Sequence, residues 1–329
     1  MTPTPPENAV PAFPASLDWR SIPPSAPYYV PVRAHPPLKT LILALILFLL
    51  TLCTCLAAGT QFAAAYSHNQ AVSIDEFVRS FTLFYRHPAG LLSGLPFALT
   101  LMTILLAHEL GHFFACRHHH IRASYPFFIP APTLIGTFGA FILIRSPIRT
   151  TRALFDVGAS GPIVGFVLAV PALLYGVLHA KIVPGLADPA HSDVIFGIPL
   201  ILHFFAAILH PGINASNLLL HPVGRAAWVG LFATSLNLLP AGQLDGGHIL
   251  RSLSPRAHRY VSLLLPLFLL ALGFFQHWPG WYIWAAILLG LRFLRAAPIY
   301  DYTPLDPNRS FGALLALAVF FVCFMPAPI

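Results

Sequence analysis

Charged residues are scarce in this sequence: of 329 residues, Asp, Glu, Lys and Arg together make up 9%. A soluble domain of this size carries about 25% charged residues to cover its surface. Apolar residues make up 57%. So few charged groups could not keep a chain with this much apolar surface dissolved in water. The composition excludes an ordinary soluble protein and predicts a multi-pass protein of the lipid bilayer. In a membrane protein the net charge of +7 indicates which loops lie on the cytoplasmic side. We therefore expect no binding of nucleic acid.

Cysteine is also scarce, and the four cysteines have no spacing typical of a disulfide framework. Cys53 and Cys55 lie two positions apart in one apolar run, so they face opposite sides of a helix and cannot share a metal ion. We interpret all four as small apolar residues.

Several apolar runs are long enough to cross the hydrocarbon core of a bilayer, which takes about 20 residues. They predict an all-α polytopic membrane protein with about seven transmembrane helices: 38–58, 91–115, 157–178, 224–239, 260–275, 281–294 and 311–324. The stretch 133–144 is too short to cross, and we predict a short re-entrant β-hairpin-like segment there. The stretch 194–209 is marginal because it contains Pro199 and His203.

The distribution of Lys and Arg indicates whether 194–209 crosses the membrane. If it does not cross, fourteen of the 18 cations lie on one side; if it crosses, the two sides hold eight and ten. In the first case the four cations on the opposite side are Arg79, Arg86, Lys181 and Arg225. The positive-inside rule favours the first arrangement and places the fourteen cations in the cytoplasm. We therefore predict a cytoplasmic N-terminal tail and a seventh helix that ends outside.

An H-E-x-x-H motif, formed by His108, Glu109 and His112, lies at the inner end of the second predicted helix. Two histidines four positions apart on a helix differ by about 40° in direction, so both imidazoles can bind one Zn²⁺. Glu109 then lies beside the open coordination position. Because ionisable groups in an apolar helix are costly and usually functional, the motif predicts one zinc ion per chain. The alternative is a cluster satisfied by hydrogen bonds alone.

A catalytic zinc site uses three protein ligands and keeps one position open. The sequence has no glutamate after Glu109. His118 has the spacing of a metzincin ligand, but Ala115 stands where that pattern requires glycine. On a continuing helix His118 also points away from His112. The remaining candidates for a third ligand are aspartates.

The predicted topology separates the aspartates. Asp156 directly precedes a predicted helix and is interpreted as its N-cap, while Asp301 and Asp306 lie in a polar loop. Asp245 lies near the end of the run 237–247, where one proline and three glycines are expected to unwind the helix at membrane depth. Such backbone is tolerated where protein or a water-filled cavity satisfies it, so Asp245 is the best third ligand. Three aspartates fall on the outer side: Asp75, Asp188 and Asp193.

The two motifs together resemble the site-2 protease family of intramembrane zinc metalloproteases, peptidase family M50. The resemblance rests on H-E-x-x-H at 108–112 and N-x-x-P-x-x-x-L-D-G-G at 237–247, and it covers about half of the chain, 91–252. The segment G-T-F-G-A at 136–140 is similar to the subgroup of plastid and cyanobacterial members. No PDZ domain is expected, unlike in the stress-response branch of the family.

The resemblance implies regulated intramembrane proteolysis, in which peptide bonds within or near transmembrane segments of protein substrates are hydrolysed. It implies that His108, His112 and Asp245 bind zinc and that Glu109 is the catalytic base. Asn237 is a candidate second donor to the charge that develops on the scissile carbonyl oxygen.

Further candidate site residues concern substrate binding. The segment 133–144 is predicted to offer an edge that pairs with an extended substrate, with Gly136 and Gly139 permitting close backbone approach. The alternative is a merely packed re-entrant loop. His248 is predicted to line the site or to hydrogen-bond a metal ligand.

The sequence predicts four regions. Residues 1–37 are a Pro-rich disordered cytoplasmic tail without a signal-peptide pattern, and 38–90 hold the first transmembrane helix and an outer loop. Residues 91–259 form the protease core, and 260–329 the C-terminal transmembrane helices. We expect a bacterial inner membrane with the active site toward the cytoplasm; the sequence indicates no oligomeric state.

Two other function classes were weighed. A transporter or channel could use the buried His/Glu/Asp cluster, but such proteins often show charges on several helices or inverted repeats. A catalytically silent scaffold is disfavoured because every predicted metal and base position holds a suitable residue.

The predicted topology can be tested with a reporter fused after Ile329. We expect the reporter to be active on the outer side, and an identical fusion before Lys39 to report the cytoplasm. A cytoplasmic reporter at Ile329 would contradict the arrangement of seven helices.

Overall fold

The computed structural model describes residues 38–73, 77–78, 80, 82, 86–188, 194–291, 299, 301 and 303–329. The predicted tail, 1–37, and the end of the sixth predicted helix, 292–294, lie outside the described residues. The helices are α1 Leu38–His68, α2 Leu95–His118, α3 Thr151–Leu178, α4 Leu200–Leu209, α5 Pro222–Asn237, α6 Asp245–Leu253, α7 Pro255–Gln276, α8 Gly280–Leu291 and α9 Pro307–Cys323. The strands are β1 Phe127–Pro130, β2 Thr137–Phe141, β3 Lys181–Ile182 and β4 Leu218–Leu219.

Four helical segments of the described chain are long and apolar enough to cross a membrane: α1, Pro88–His118, α3 and α7. Pro88–His118 consists of a 3₁₀ turn, Pro88–Gly94, followed by α2. These segments have 22 to 31 residues, so each is longer than the hydrocarbon thickness of about 30 Å at 1.5 Å per residue. Large apolar side chains such as Leu49 and Phe268 are exposed on them, as expected of surfaces that face lipid. The chain is an integral membrane protein.

The other three predicted transmembrane helices are shorter in the part of the chain that the structure describes. Helix α5 has 16 residues, α8 has 12 and α9 has 17, which gives lengths of about 18 to 26 Å. The predicted count of seven is therefore not confirmed. Hydropathy alone does not show where a helix ends, and here Pro222 begins α5 and a turn after Asn237 ends it. Helix α4 has ten residues, too few to cross, which agrees with the prediction for 194–209.

Helix α3 occupies the centre of the bundle and contacts α2, α5, α6 and α9. Its contact with α5 is close because glycines face each other: a Cβ atom on Gly176 would lie 2.1 Å from the Cα atom of Gly224. Small residues at such a crossing let two helix backbones approach each other inside a membrane. The central helix is thus held by backbone proximity as well as by apolar side chains.

The predicted β-hairpin-like segment is present with different bounds. Strands β1 and β2 pair antiparallel, with Phe127 opposite Phe141 and Phe128 opposite Ala140. One strand therefore lies before residue 133, the start of the predicted segment. Helix α1 holds the turn of the hairpin, because Gln61 Nε2 donates to the Leu134 carbonyl at 2.8 Å.

The crossing of α3 and α5 generates a stability prediction. Gly176→Ala places a methyl group on the Gly224 backbone, so we expect the free energy of unfolding to fall by roughly 1–3 kcal/mol. Gly290→Ala is the control, because a Cβ atom there meets no other atom within 4 Å. Thermal unfolding in micelles, followed by circular dichroism, measures both. Equal melting temperatures for the two variants would contradict the close crossing.

Candidate metal centre

The H-E-x-x-H residues lie in the middle of the bundle on α2. His108, Glu109 and His112 are each at most 6% exposed. The two imidazole rings lie on one face of the helix with centroids 4.9 Å apart, as four-residue spacing dictates. Ionisable side chains this deeply buried require partners, and the next elements of the chain supply them.

Asp245 reaches the two histidines because the chain unwinds between α5 and α6. Helix α5 ends at Asn237, residues 238–244 turn, and Asp245 opens α6. The turn lies directly against the start of α6: a Cβ atom on Gly246 would be 2.0 Å from the Leu238 carbonyl oxygen. Glycine after Asp245 is therefore required for this close turn. The predicted unwinding is present over 238–244, whereas Asn237 and 245–247 are helical.

The three side chains place their donor atoms around one point. Asp245 Oδ2 lies 3.3 Å from His108 Nε2 and 3.2 Å from His112 Nε2. A tetrahedral ion bound at about 2.0–2.1 Å separates its ligand atoms by about 3.3 Å, so these spacings fit Zn²⁺. Two imidazole nitrogens and one carboxylate oxygen are also a donor set that zinc accepts. Among the described residues, no second group of three His, Cys, Asp or Glu side chains is this close together.

Helix α3 fixes the orientation of His112. The Nδ1 atom of His112 lies 2.6 Å from the Val157 carbonyl oxygen. A carbonyl oxygen only accepts, so Nδ1 carries the proton and Nε2 presents its lone pair toward Asp245. Gly161 makes room for the ring, since a Cβ atom there would lie 2.1 Å from His112 Nε2. The backbone of α3 thus sets both the tautomer and the position of this side chain.

Asn237 contacts the other histidine. Its Nδ2 atom lies 3.2 Å from His108 Nε2, and an amide N–H donates to the lone pair of an unprotonated ring nitrogen. His108 Nε2 has a single lone pair, so a metal ion bound there would replace this contact and leave the Asn237 amide free to donate elsewhere. The last residue of α5 therefore belongs to the cluster.

A cavity of about 210 Å³ opens over the cluster. It is lined by Glu109, Asn237 and His248 together with Phe141 and the residues after β2. The backbone N–H of Ile142 lies within hydrogen-bonding reach of the Glu109 carboxylate. The Glu109 carboxylate thus faces both the cluster and the hairpin, and the hairpin forms one wall of the cavity.

The two candidate glycines of the hairpin have different surroundings. Gly136 has φ +82° and lies against α1, where a Cβ atom would be 2.6 Å from Cys55 Cα. Its carbonyl accepts a hydrogen bond from Thr54 Oγ1 at 2.6 Å, so the close backbone approach at Gly136 is to α1. Gly139 has φ +103° and meets nothing within 4 Å, which leaves its surface open.

The N-cap role predicted for Asp156 is wrong. Helix α3 begins at Thr151, and the side chain of Thr150 caps it by accepting from Ala153 N. Asp156 lies within the helix, where Arg309 Nε donates to Oδ1 at 2.8 Å and Arg309 Nη2 to Oδ2 at 2.6 Å. His119 Nε2 lies 2.7 Å from Oδ2. Asp156 therefore links α9, α3 and the residue that follows α2.

The remaining polar candidates lie outside the cluster. His118 ends α2 and is not part of the metal-binding group. Asp301 is exposed, as predicted, and hydrogen bonds from the Thr303 hydroxyl and backbone N–H hold the pKa of its carboxyl below the usual range. Asp306 caps α9 by accepting from Arg309 N at 3.0 Å.

Sequence reasoning missed two groups that support the site. The Val157 carbonyl is a backbone atom, so no residue type marks it. The pairing of Asp156 with Arg309 joins residues 153 positions apart, and no local pattern connects them. The basic residue in the first turn of α9 was the available signal, but it was counted as a membrane-orientation charge.

Comparison with known proteins agrees with this geometry. The sequence profile of Peptidase family M50 matches residues 96–273, more than half of the chain. "Probable zinc metalloprotease EGY1, chloroplastic" of Oryza sativa subsp. japonica is 35% identical over 162 residues, which are 48% of this chain and 28% of that protein. "Probable zinc metalloprotease EGY2, chloroplastic" of Arabidopsis thaliana is 30% identical over 268 residues, 76% of this chain and 48% of the relative. The chain thus spans half or less of the length of these relatives.

The fit of His112 against α3 can be tested through zinc affinity. In Gly161→Ala the added methyl group displaces the imidazole, so we expect zinc affinity to fall roughly tenfold or more. Val167→Ile is the matched control on the same helix, because it also adds one methyl group but the Val167 side chain is exposed, away from His112. Competition with a fluorescent zinc chelator measures both. Unchanged affinity in Gly161→Ala would show that His112 does not need this position.

Proposed function

Because the chain belongs to peptidase family M50, we propose that it is an intramembrane zinc metalloprotease that hydrolyses peptide bonds of membrane proteins. One observation carries the proposal: His108, His112 and Asp245 converge within 3.2–3.3 Å contacts beside a buried glutamate in an apolar bundle. A transporter or channel is not favoured, because these groups form one cluster at a single cavity rather than a path of charges.

We assign His108, His112 and Asp245 as the protein ligands of one zinc ion. When bound, Zn²⁺ lowers the pKa of a water and polarises a carbonyl group. The three ligands leave the side that faces Glu109 and the cavity for the substrate. The Val157 carbonyl keeps the tautomer of His112 that presents Nε2.

Glu109 is the general base and then the general acid. Its carboxylate accepts a proton from the water as the water oxygen bonds to the scissile carbonyl carbon. The same proton passes to the amine nitrogen when the C–N bond breaks, so the glutamate returns to its starting state. The Ile142 N–H lies beside this carboxylate, at the wall of the cavity. Asn237, at the wall of the cavity, donates its amide to the charge that develops on the carbonyl oxygen.

The substrate is a transmembrane segment that enters the cavity in extended form. A helix hides its peptide bonds, so the segment must unwind before it is cut. Strand β2 pairs only with β1 among the described residues, and its free edge leads to Phe141 and Ile142 at the cavity. An extended substrate can add to this edge as a further strand. The open surface at Gly139 supports close approach there, and His248 lines the far wall.

The membrane and its orientation are also proposals. The distribution of cations supports a cytoplasmic active site, and a bacterial inner membrane is our proposal from sequence alone. The relatives described above are chloroplastic by name.

The assignment of Glu109 predicts a separation of catalysis from metal binding. Glu109→Gln should lower cleavage of a tagged transmembrane substrate in liposomes roughly 10²-fold or more, while zinc remains bound. His108→Ala should lose both cleavage and zinc, because it removes a ligand. Cleavage is measured by immunoblot, and zinc by elemental mass spectrometry of the purified protein.

His68→Ala serves as the matched control, since His68 is exposed at the end of α1. It should keep cleavage and zinc at wild-type levels. Undiminished cleavage in Glu109→Gln would remove Glu109 from the mechanism. Full zinc in His108→Ala would remove that histidine from the metal site.

A further inference from the structure

A second and larger cavity lies away from the metal centre. Its volume is about 340 Å³, within the range of sites that hold small molecules. Its walls are mostly apolar, no described lining residue is acidic, and one lining residue is a buried cation. The residues that carry the argument are Phe196, Leu202, Ser216, Leu220 and Arg225.

The buried cation is Arg225, in the first turns of α5. The residue is 7% exposed, and its guanidinium lies over the Phe196 ring, with Cζ 3.8 Å from the ring centroid. Trp228 is a second aromatic neighbour, at 5.9 Å. Within the described part of the chain, no carboxylate or carbonyl oxygen partners the guanidinium. Arg225 is therefore a desolvated cation for which the described residues supply no acceptor.

Burying such a cation costs free energy unless an anion or a hydrogen-bond acceptor pairs with it. A guanidinium carries five N–H donors, and contact with aromatic rings offsets part of the charge without accepting those hydrogens. A buried charge left without a counter-ion is strongly destabilising. An anion in the cavity supplies both charge and acceptors, and the planar guanidinium binds the oxygens of phosphate or carboxylate in pairs.

The walls of this cavity are held in place. The Trp228 indole Nε1 donates to the Gly197 carbonyl at 2.7 Å, and Gly197 N donates to the Pro328 carbonyl at 2.7 Å. These bonds fix the segment that carries Phe196. Arg225 also precedes Asn237 by twelve residues of one helix, about 18 Å along its axis. The cavity is thus preformed and separate from the metal centre.

Size and wall chemistry indicate what the anion carries. The volume exceeds that of a single phosphate group, and most of the other lining residues have apolar side chains. A ligand that places a phosphate on Arg225 and less polar atoms against these walls fits better than a free, fully hydrated ion. The protein resides in a bilayer, where phospholipids are present at high concentration.

We propose that this cavity is a binding site for the phosphate group of an anionic lipid, with Arg225 as its charged ligand. The phosphate accepts from the guanidinium, and the headgroup and glycerol lie against Phe196 and Leu220. The site is independent of proteolysis, so it can be tested on the purified full chain without a substrate.

The test measures lipid retention by native mass spectrometry after purification from vesicles that contain phosphatidylglycerol in phosphatidylcholine. We expect wild-type protein to retain phosphatidylglycerol. Arg225→Met keeps the length of the side chain but removes its charge, and should retain roughly tenfold less. Arg86→Gln is the control, because Arg86 is an exposed arginine outside the cavity; it should match the wild type.

Two further arms keep the proposal falsifiable if Arg225→Met folds poorly. Ser216→Trp fills the cavity and leaves Arg225 in place, and should also lose the lipid. Inorganic phosphate is added as a competitor, and should displace the lipid only weakly. Equal retention in wild type and both cavity variants would overturn the site. Full displacement by inorganic phosphate would overturn the lipid as its source.

Discussion

One constraint explains most of this structure: two imidazoles and a carboxylate must converge inside an apolar bundle. Each group alone would be costly to bury, so they must meet, and they come from helices far apart in sequence. Asp245 reaches His108 and His112 only because α5 stops at Asn237 and the chain turns sharply into α6. At Gly246 and Gly247 the backbone of this turn lies directly against the start of α6. An uninterrupted helix through this region would carry the carboxylate away from the histidines.

Helix α3 packs against both α2, which carries the two histidines, and α6, which begins at Asp245. It contributes no metal ligand, yet its Val157 carbonyl orients His112, and its glycines let α2 and α5 approach. A Cβ atom on Gly111 of α2 would lie 2.7 Å from the Ser160 carbonyl oxygen, and one on Gly176 would lie only 2.1 Å from Gly224 Cα. The same device, backbone against backbone, thus sets both the packing and the geometry of the ligands.

Much of the site was predictable because carboxylates are scarce. With no glutamate after Glu109 and few aspartates near the zinc helix, an unwound helix end that carries Asp245 was the best choice, and the structure brings that residue to the two histidines. The hairpin was predicted, although its first strand lies before residue 133. The number of transmembrane helices was not predictable in this way, since apolar runs do not show where Pro222 or a turn ends a helix.

What the sequence did not reveal depends on partners that are distant in the chain. Asp156 has the local pattern of an N-cap, and only the fold shows that Arg309 pairs with it. The acceptor of His112 is a peptide carbonyl, for which every residue type is equivalent. Arg225 was counted as one of four cations on the outer side. Only the fold shows that Phe196 and Trp228 pack against its guanidinium and that, among the described residues, no acceptor faces it.

The pairing of Arg309 with Asp156 has a consequence for the order of biosynthesis. Asp156 is next to Val157, whose carbonyl orients His112, and Arg309 lies in α9, the last helix of the described chain. The ribosome completes both histidines and Asp245 well before it reaches residue 309. Until α9 has been inserted, the helix that orients His112 lacks one of its two bracing contacts to Asp156. The packing around Val157 is therefore complete only once α9, the last helix of the described chain, is in place.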